Sequence, residues 1–298
     1  MTVRPMGRRL LPALTLSVLA LAATANAQAP TTPPPVNAQQ VAGHVYVLTG
    51  GGGANSSLLI GPQGALLVDT KSPGATEQIM SIAQELGSAP IRFVVNGHVH
   101  PDHTDGNANF ARRGAVIIAH QEVRDVLAAG QRGGPPSPAE ALPVVTFADG
   151  GEIDLYLNDE HVRVFHAPPA HSHDNSIVQY VESNVLHLGD LYGPNRYQLI
   201  AGGTFQGFID GADLALKLAD ENTKIIPGVG AVADRAALVA YRHMLVTVRD
   251  RIAQRVAAGD TLEQAIASKP TAEFDATWGS PDHALFLPVI YAELAGKR

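Results

Sequence analysis

Asn96-Gly97-His98-Val99-His100-Pro101-Asp102-His103 is the stretch that decides the reading of this chain. The run from Arg92 to Val95 has the composition of a buried strand. It ends at Asn96-Gly97, a turn dipeptide, and four residues able to ligate a metal follow within six positions. In an extended segment, residues two apart point to the same side, so His98 and His100 can clasp one cation. Pro101 turns the chain, and Asp102 and His103 then face a second position nearby. Imidazole nitrogen and carboxylate oxygen both suit zinc. A solvated polar loop is the bland alternative, and it gives no reason for this set of residues at this spacing.

The rest of the composition narrows the chemistry. The 298 residues contain no cysteine, which excludes disulfide scaffolds, thiol nucleophiles, iron–sulfur clusters and thiolate zinc sites. Any metal must therefore be held by carboxylates and some of the 12 histidines. The formal charge is −7 and no basic stripe runs along the chain, so a nucleic-acid partner is not expected. With 45% hydrophobic residues there is enough apolar material for one large core or two modest ones.

Working outward, short apolar runs at 45–48, 57–60 and 65–68 read as strands, the last two flanking the turn Gly61-Pro62-Gln63-Gly64. Ile79, Ile82, Ala83 and Leu86 recur at helical spacing within 75–86. Further strands are expected at 115–118, 152–157, 161–166, 176–181, 185–188 and 224–226. Helices are expected at 120–129, 211–220, 234–257, 261–268 and 282–295, and a surface loop at 130–143. The order predicts two sheets inside and helices outside, not a doubly wound parallel sheet. Gly50 to Gly53 reads as a flexible hairpin or active-site flap, because the Lys-Ser/Thr ending of a phosphate loop is missing. The segment from Trp278 through His283 to Tyr291 is expected to cap the core.

The N-terminus reads as an export signal. Arg4, Arg8 and Arg9 precede an apolar run from Leu10 to Ala23, and Ala25-Asn26-Ala27 is a small-x-small cleavage site. Residues 1–27 are therefore expected to be a signal peptide, 28–40 a Pro-rich leader, and 41–298 the folded domain. The destination is the periplasm or the outside, with no stable membrane anchor after cleavage. Loss of three arginines makes the mature chain more acidic still.

His-x-His-x-Asp-His after a buried strand resembles the signature of the metallo-β-lactamase superfamily. The resemblance runs from about His44 to the helix after Asp234. It implies an α+β, four-layer αβ/βα sandwich, with two mixed β-sheets flanked by helices and the metals at one edge. Asp69 resembles the family's buried aspartate, which braces the metal loop. His171, after Pro168-Pro169-Ala170, resembles the histidine that completes a first metal site with His98 and His100. Asp190, in Leu188-Gly189-Asp190, resembles the aspartate that bridges two metals, the second site being served by Asp102 and His103. One motif departs. Where the family has a Pro-Gly-His-Gly type turn, this chain reads Pro227-Gly228-Val229-Gly230, and valine cannot bind metal. One tight Zn2+ site and a second site weakened by Val229 are expected, with Fe2+ as the alternative metal.

The resemblance implies an enzyme, a hydrolase in which metal-bound hydroxide attacks a carbonyl. Asp102 is the catalytic candidate: it could orient the attacking water, accept its proton or hold a second zinc. The expected partner is a small-molecule substrate, a cyclic amide or ester such as a β-lactam or lactone. A bridging Asp at 190 looks more like the lactonase and thioesterase branches. Two other readings stay open: a mononuclear iron oxygenase built on His98, His171 and Asp190, and a metal-binding protein without activity. His173 is a possible extra ligand. His166 and His187 are expected beside the site rather than in it, and His44, His120, His161, His243 and His283 have no motif context. The sequence leaves the oligomeric state open.

Overall fold

Thirteen strands among the described residues form two sheets, and each strand's apolar pattern says which layers it faces. The computed structural model describes residues 33–87, 90–281 and 286–297. The segment expected to be a signal peptide and His283 lie outside them. The strands are β1 (Val36–Ala42), β2 (Val45–Gly50), β3 (Ser56–Leu59), β4 (Ala65–Val68), β5 (Ile91–Val95), β6 (Val116–His120), β7 (Val145–Phe147), β8 (Glu152–Leu157), β9 (Glu160–His166), β10 (Ser176–Tyr180), β11 (Val185–Gly189), β12 (Lys224–Pro227) and β13 (Ala233–Asp234). The helices are α1 (Thr76–Gly87), α2 (Pro101–Thr104), α3 (Asn107–Ala111), α4 (Gln121–Ala129), α5 (Phe205–Leu218), α6 (Arg235–Ala257), α7 (Leu262–Ala267), α8 (Asp275–Trp278) and α9 (Leu287–Leu294).

The first sheet runs β1 to β7 in sequence order, antiparallel as far as β4 and parallel from β4 to β7. The second runs β13-β12-β11-β10-β9-β8, with only β11 and β12 parallel. All four residues of β4 are buried because each of its faces meets a core. Leu66 and Val68 join Val45, Val47 and Val95 against Val162, Val164, Val178 and Tyr180 of the other sheet. Ala65 and Leu67 face α1 and α3, packing with Ile79, Ala83 and Phe110. On the far side, Ile177, Leu186 and Ile225 meet Phe208, Leu238, Tyr241, Leu245 and Ile290 of α5, α6 and α9. Two mixed sheets between helical layers result, and full burial of each such side chain is worth about 1.5–3 kcal/mol.

Three differences from the sequence reading have physical causes. The fold begins at Val36, inside the expected leader, because β1 pairs with β2 through its backbone. Its Asn37, Gln39 and Gln40 are exposed on an edge strand, so no apolar alternation marks it. β7 is a short strand with Val145 exposed, and equally lacks a pattern. Helix α5 starts at Phe205 rather than 211, capped by the Thr204 hydroxyl, which accepts from the Gly207 amide at 2.8 Å. Gly207 is required there: a Cβ would lie 1.7 Å from the Pro169 carbonyl oxygen. That close approach seats α5 under the loop that carries His171. Among the described residues, no helix is long and apolar enough to cross a membrane.

Candidate metal centre

The centre is built at the C-terminal ends of β4, β5 and β11 and on the loop after β9. Asp69 follows β4 directly, has no exposed surface and takes a left-handed backbone, φ 64°. Its Oδ1 accepts the Gly97 amide at 2.7 Å, and its Oδ2 lies 2.7 Å from His103 Nδ1 and 3.4 Å from His187 Nε2. One carboxylate thus fixes both ends of the segment that carries the ligand-type residues. Burial alone would push the Asp69 carboxyl up; His103 and His187 outweigh it and hold the acid well below the usual carboxylate range. Asn96 and Asn107 bond each other reciprocally, and the Asn96 amide also reaches the His103 carbonyl at 3.2 Å. The backbone around β5 and α2 is therefore set by buried polar partners.

Three imidazoles meet above this frame. His98 Nε2 lies 2.9 Å and His171 Nε2 2.8 Å from His100 Nδ1, although His171 is 71 residues away in sequence. The rings stand edge-on to one another, with His98 and His171 centroids 4.8 Å apart. His171 Nδ1 faces the Leu199 carbonyl at 2.7 Å. That carbonyl accepts the Nδ1 proton and leaves the Nε2 lone pair free to point at the cluster. Burial, with the neighbouring rings of His103, His171 and His100, keeps the His98 pKa well below the ordinary histidine value, hence neutral. Three nitrogens at this spacing, on nearly perpendicular rings, converge on one point as the ligands of a tetrahedral cation do.

A second position adjoins the first. His103 Nε2 is buried without a hydrogen-bond partner, 3.6 Å from Asp102 Oδ2 and 3.8 Å from Asp190 Oδ1. Asp190 Oδ1 is likewise unpartnered, while its Oδ2 lies 3.4 Å from His171 Nε2. Asp190 therefore spans the two positions. Two orphaned buried atoms that can each present a lone pair, a ring nitrogen and a carboxylate oxygen, fit a cation. Burial would lower the His103 pKa, but the carboxylates of Asp69, Asp190 and Asp102 prevail and push it up to about 9. The structure brings together all six residues singled out from the sequence: His98, His100, Asp102, His103, His171 and Asp190.

Residues 49–228 match the family model described as the metallo-β-lactamase superfamily, a span of more than half the chain. The chain belongs to the metallo-β-lactamase superfamily. Members of that superfamily are metal-dependent hydrolases. A "Probable metallo-hydrolase" of Methanocaldococcus jannaschii is 26% identical over 207 residues, covering 65% of this chain and 95% of the relative. The α subunit of 2,4-dinitroanisole O-demethylase from Nocardioides sp. is 26% identical over 160 residues, covering 53% of this chain; the match spans 46% of that subunit's length. Among solved structures, a metallo-β-lactamase from Pontibacter korlensis superposes with a TM-score of 0.60 at 17% identity, over 70% of this chain and 98% of its own. FIM-1 from Pseudomonas aeruginosa, in a mono-zinc form, gives 0.60 at 21%, over 72% and 96%.

Against that superfamily pattern, the turn after β12 stands out. Asn55 pins it: the Asn55 side-chain amide donates to the Pro227 carbonyl at 3.0 Å and the Gly230 carbonyl at 2.8 Å, and the Asn55 backbone amide to Gly228 at 2.7 Å. A Cβ on Gly228 would lie 1.9 Å from Asp190 Oδ1, so the turn packs directly against the Asp190 carboxylate. Val229 follows, with 44% of its surface exposed. Gly228→Ala is expected to displace Asp190 and weaken metal binding about 10- to 100-fold, read by chelator competition. Unchanged affinity would show that the turn does not set the Asp190 position.

Of the neighbouring side chains, Lys71 escaped the sequence reading, whereas His187 and His166 were expected beside the site. Lys71 is a fully buried lysine with φ 58°, and its Nζ donates to the Ala54 carbonyl. Burial pushes its pKa down to about 8 against the pull of Asp69 and Asp102. His187 is the second brace of Asp69, and its Nδ1 lies 3.0 Å from Ser57 Oγ. The His173 side chain is exposed and joins no ligand group among the described residues. Its carbonyl accepts from His166 Nε2 at 2.7 Å. His120 and His166 stack at 4.4 Å with 16° between their planes, and His120 Nε2 is 3.0 Å from Asp149 Oδ1. Near-parallel rings do not aim their in-plane lone pairs at one point, so this pair props the His171 loop rather than forming a second metal cage.

Proposed function

We propose that the protein is an exported zinc-dependent hydrolase that opens a small cyclic amide or ester, of the β-lactam or lactone class. The observation that carries the reading is the meeting of His98, His100 and His171, with the His171 tautomer set by the Leu199 carbonyl. Three imidazoles with a fourth position open are a donor set suited to catalytic zinc. A divalent cation held there supplies Lewis acidity and a water of lowered pKa. Three rings rather than two favour this over the iron oxygenase reading of His98, His171 and Asp190.

The chain's own residues then divide the work. Asp102 has about half of its side chain exposed (49%), on the first turn of α2 beside the ring cluster. It accepts a proton from the attacking water and returns it to the nitrogen or oxygen released when the carbonyl–heteroatom bond breaks. Asp190 lies between the two rings, Oδ2 3.4 Å from His171 Nε2 and Oδ1 3.8 Å from His103 Nε2, where it would complete the donor set of a cation held there. Asp69 and His187 hold that frame without touching substrate. Export is supported by Arg4, Arg8, Arg9, the apolar run after them and Ala25-Asn26-Ala27. Cleavage after Ala27 leaves every strand and helix described above in the mature chain. The periplasm or the outside is the proposed destination.

The reading is tested with a β-lactam, a lactone and a thioester, each offered to zinc-loaded wild type and to His100→Ala side by side. Turnover of at least one substrate by wild type, lost in the variant, is expected. No turnover by wild type on any of them, with zinc bound, would leave a metal-binding protein without this activity. A further expectation concerns the missing imidazole. Val229→His should raise affinity for a second zinc about 10- to 100-fold or more, since it restores a ligand of ordinary strength. Equal second-site affinity in the two proteins would mean that position 229 does not face the centre.

A further inference from the structure

Between β11 and α5, residues 191–204 form neither strand nor helix, yet they touch both His171 and Asp190. The Leu199 carbonyl takes the His171 Nδ1 proton at 2.7 Å, and the Ala201 amide donates to the His171 carbonyl, also at 2.7 Å. The Gln198 side-chain amide donates to the Asp190 carbonyl at 3.2 Å. This short stretch thus fixes His171 at its ring and at its backbone, and Asp190 at its backbone. A ligand is only as well placed as the residues that support it, so the loop itself must be held.

The residue just before these contacts ties the loop to the C-terminal segment. The Tyr197 hydroxyl donates to Oδ1 of Asp275, the first residue of α8, at 2.9 Å and lies 3.4 Å from the Thr271 carbonyl. Burial and the Asp275 carboxylate push the phenol pKa up, so this hydroxyl keeps its proton and is the donor. A hydrogen bond to an ionised acceptor is one of the stronger kinds. The Tyr197 ring packs against Phe286, 5.0 Å between centroids. Helix α9 grips the far end of the same loop: the two Glu293 oxygens accept from the Phe205 and Gln206 amides at 2.8 and 3.0 Å. Thr271, Asp275, Phe286 and Glu293 all lie beyond residue 228, where the family match ends.

We propose that Tyr197 is a positioning residue for the metal centre: its bond to Asp275 lets the C-terminal segment hold residues 197–201 where Leu199 meets the His171 ring. The proposal rests on the zinc-site reading above. It is tested with Tyr197→Phe, which keeps the ring against Phe286 and loses only the hydroxyl, and with Asp275→Ala and Asp275→Asn, of which Asn keeps an oxygen that can accept. Metal-stripped wild type and the variants are titrated with zinc against an indicator chelator. Solvent exchange of the His171 Nδ1 proton is followed by NMR in the metal-stripped proteins. Tyr197→Phe and Asp275→Ala should each weaken the tight zinc by about tenfold, the lower end of what outer partners of a metal ligand contribute. Both should also quicken exchange of that proton. Asp275→Asn should stay close to wild type in both measurements. Wild-type zinc affinity and wild-type exchange in Tyr197→Phe overturn the proposal, even if that variant unfolds at lower urea, because the bond would then serve stability alone. Equal losses in Asp275→Asn and Asp275→Ala overturn it as well, since the hydrogen bond would not be what matters. If Asp275→Ala does not fold, the Tyr197→Phe affinity decides. A wild type that binds no zinc tightly fails the hydrolase reading itself, and that is seen before any variant is compared.

Discussion

Replacing His171 with alanine is expected to remove the tightly bound cation and to lower kcat/KM by about 10³-fold or more, some 4 kcal/mol of transition-state stabilisation. His171 is the ring that ties the two halves of the chain together at the centre: His98 and His100 follow β5, whereas His171 lies between β9 and β10. Its Nε2 is 2.8 Å from His100 Nδ1, and its Nδ1 is already committed to Leu199. Alanine takes away a ligand while leaving the β5 end and Asp69 untouched, so the fold should survive. Bound metal per chain and initial rates at saturating zinc check this together. A variant that keeps one tight zinc and more than about a tenth of the activity would mean that the three-ring site is not where the reaction occurs.

The second large effect is on stability and falls on Asp69. Its carboxylate is fully buried and meets Gly97, His103 and His187 at 2.7, 2.7 and 3.4 Å. Truncating one partner of a buried charged network costs about 3–5 kcal/mol, because the remaining groups stay buried without partners. Asp69→Ala should lower stability by that amount in urea unfolding of the metal-stripped protein. Asp69→Asn keeps an acceptor for the Gly97 amide and should cost less. A loss below about 1 kcal/mol for the alanine variant would show that the brace is dispensable.

How much of this was legible beforehand depends on how local each feature is. The metal loop could be read because His98, His100, Asp102 and His103 lie in one short stretch behind an obvious strand. His171 and Asp190 became legible only through the resemblance, since each is one residue in a loop and nothing local says that they meet. The sheets could be read where strands are buried on both faces, as in β4, but not at β1, whose exposed Asn37, Gln39 and Gln40 look like a linker. The first turns of helix α5 are not legible because Gly207 looks like a breaker; the Pro169 carbonyl that demands Gly207 is known only from the fold. Asn55 was invisible for the same reason, its partners lying 172 and 175 residues on. Lys71 carried no signal at all, because a lysine after Asp-Thr reads as surface until its burial is known.

The central claim is that one cation, held by three imidazoles, is sufficient for the reaction. Stepwise return of zinc to the metal-stripped wild-type protein, with hydrolysis of a chromogenic β-lactam and of a lactone followed in the same samples, tests it most directly. Activity on at least one substrate should climb linearly and level off at one zinc per chain. Levelling at two, or protein that fills with zinc and stays inactive, would contradict it.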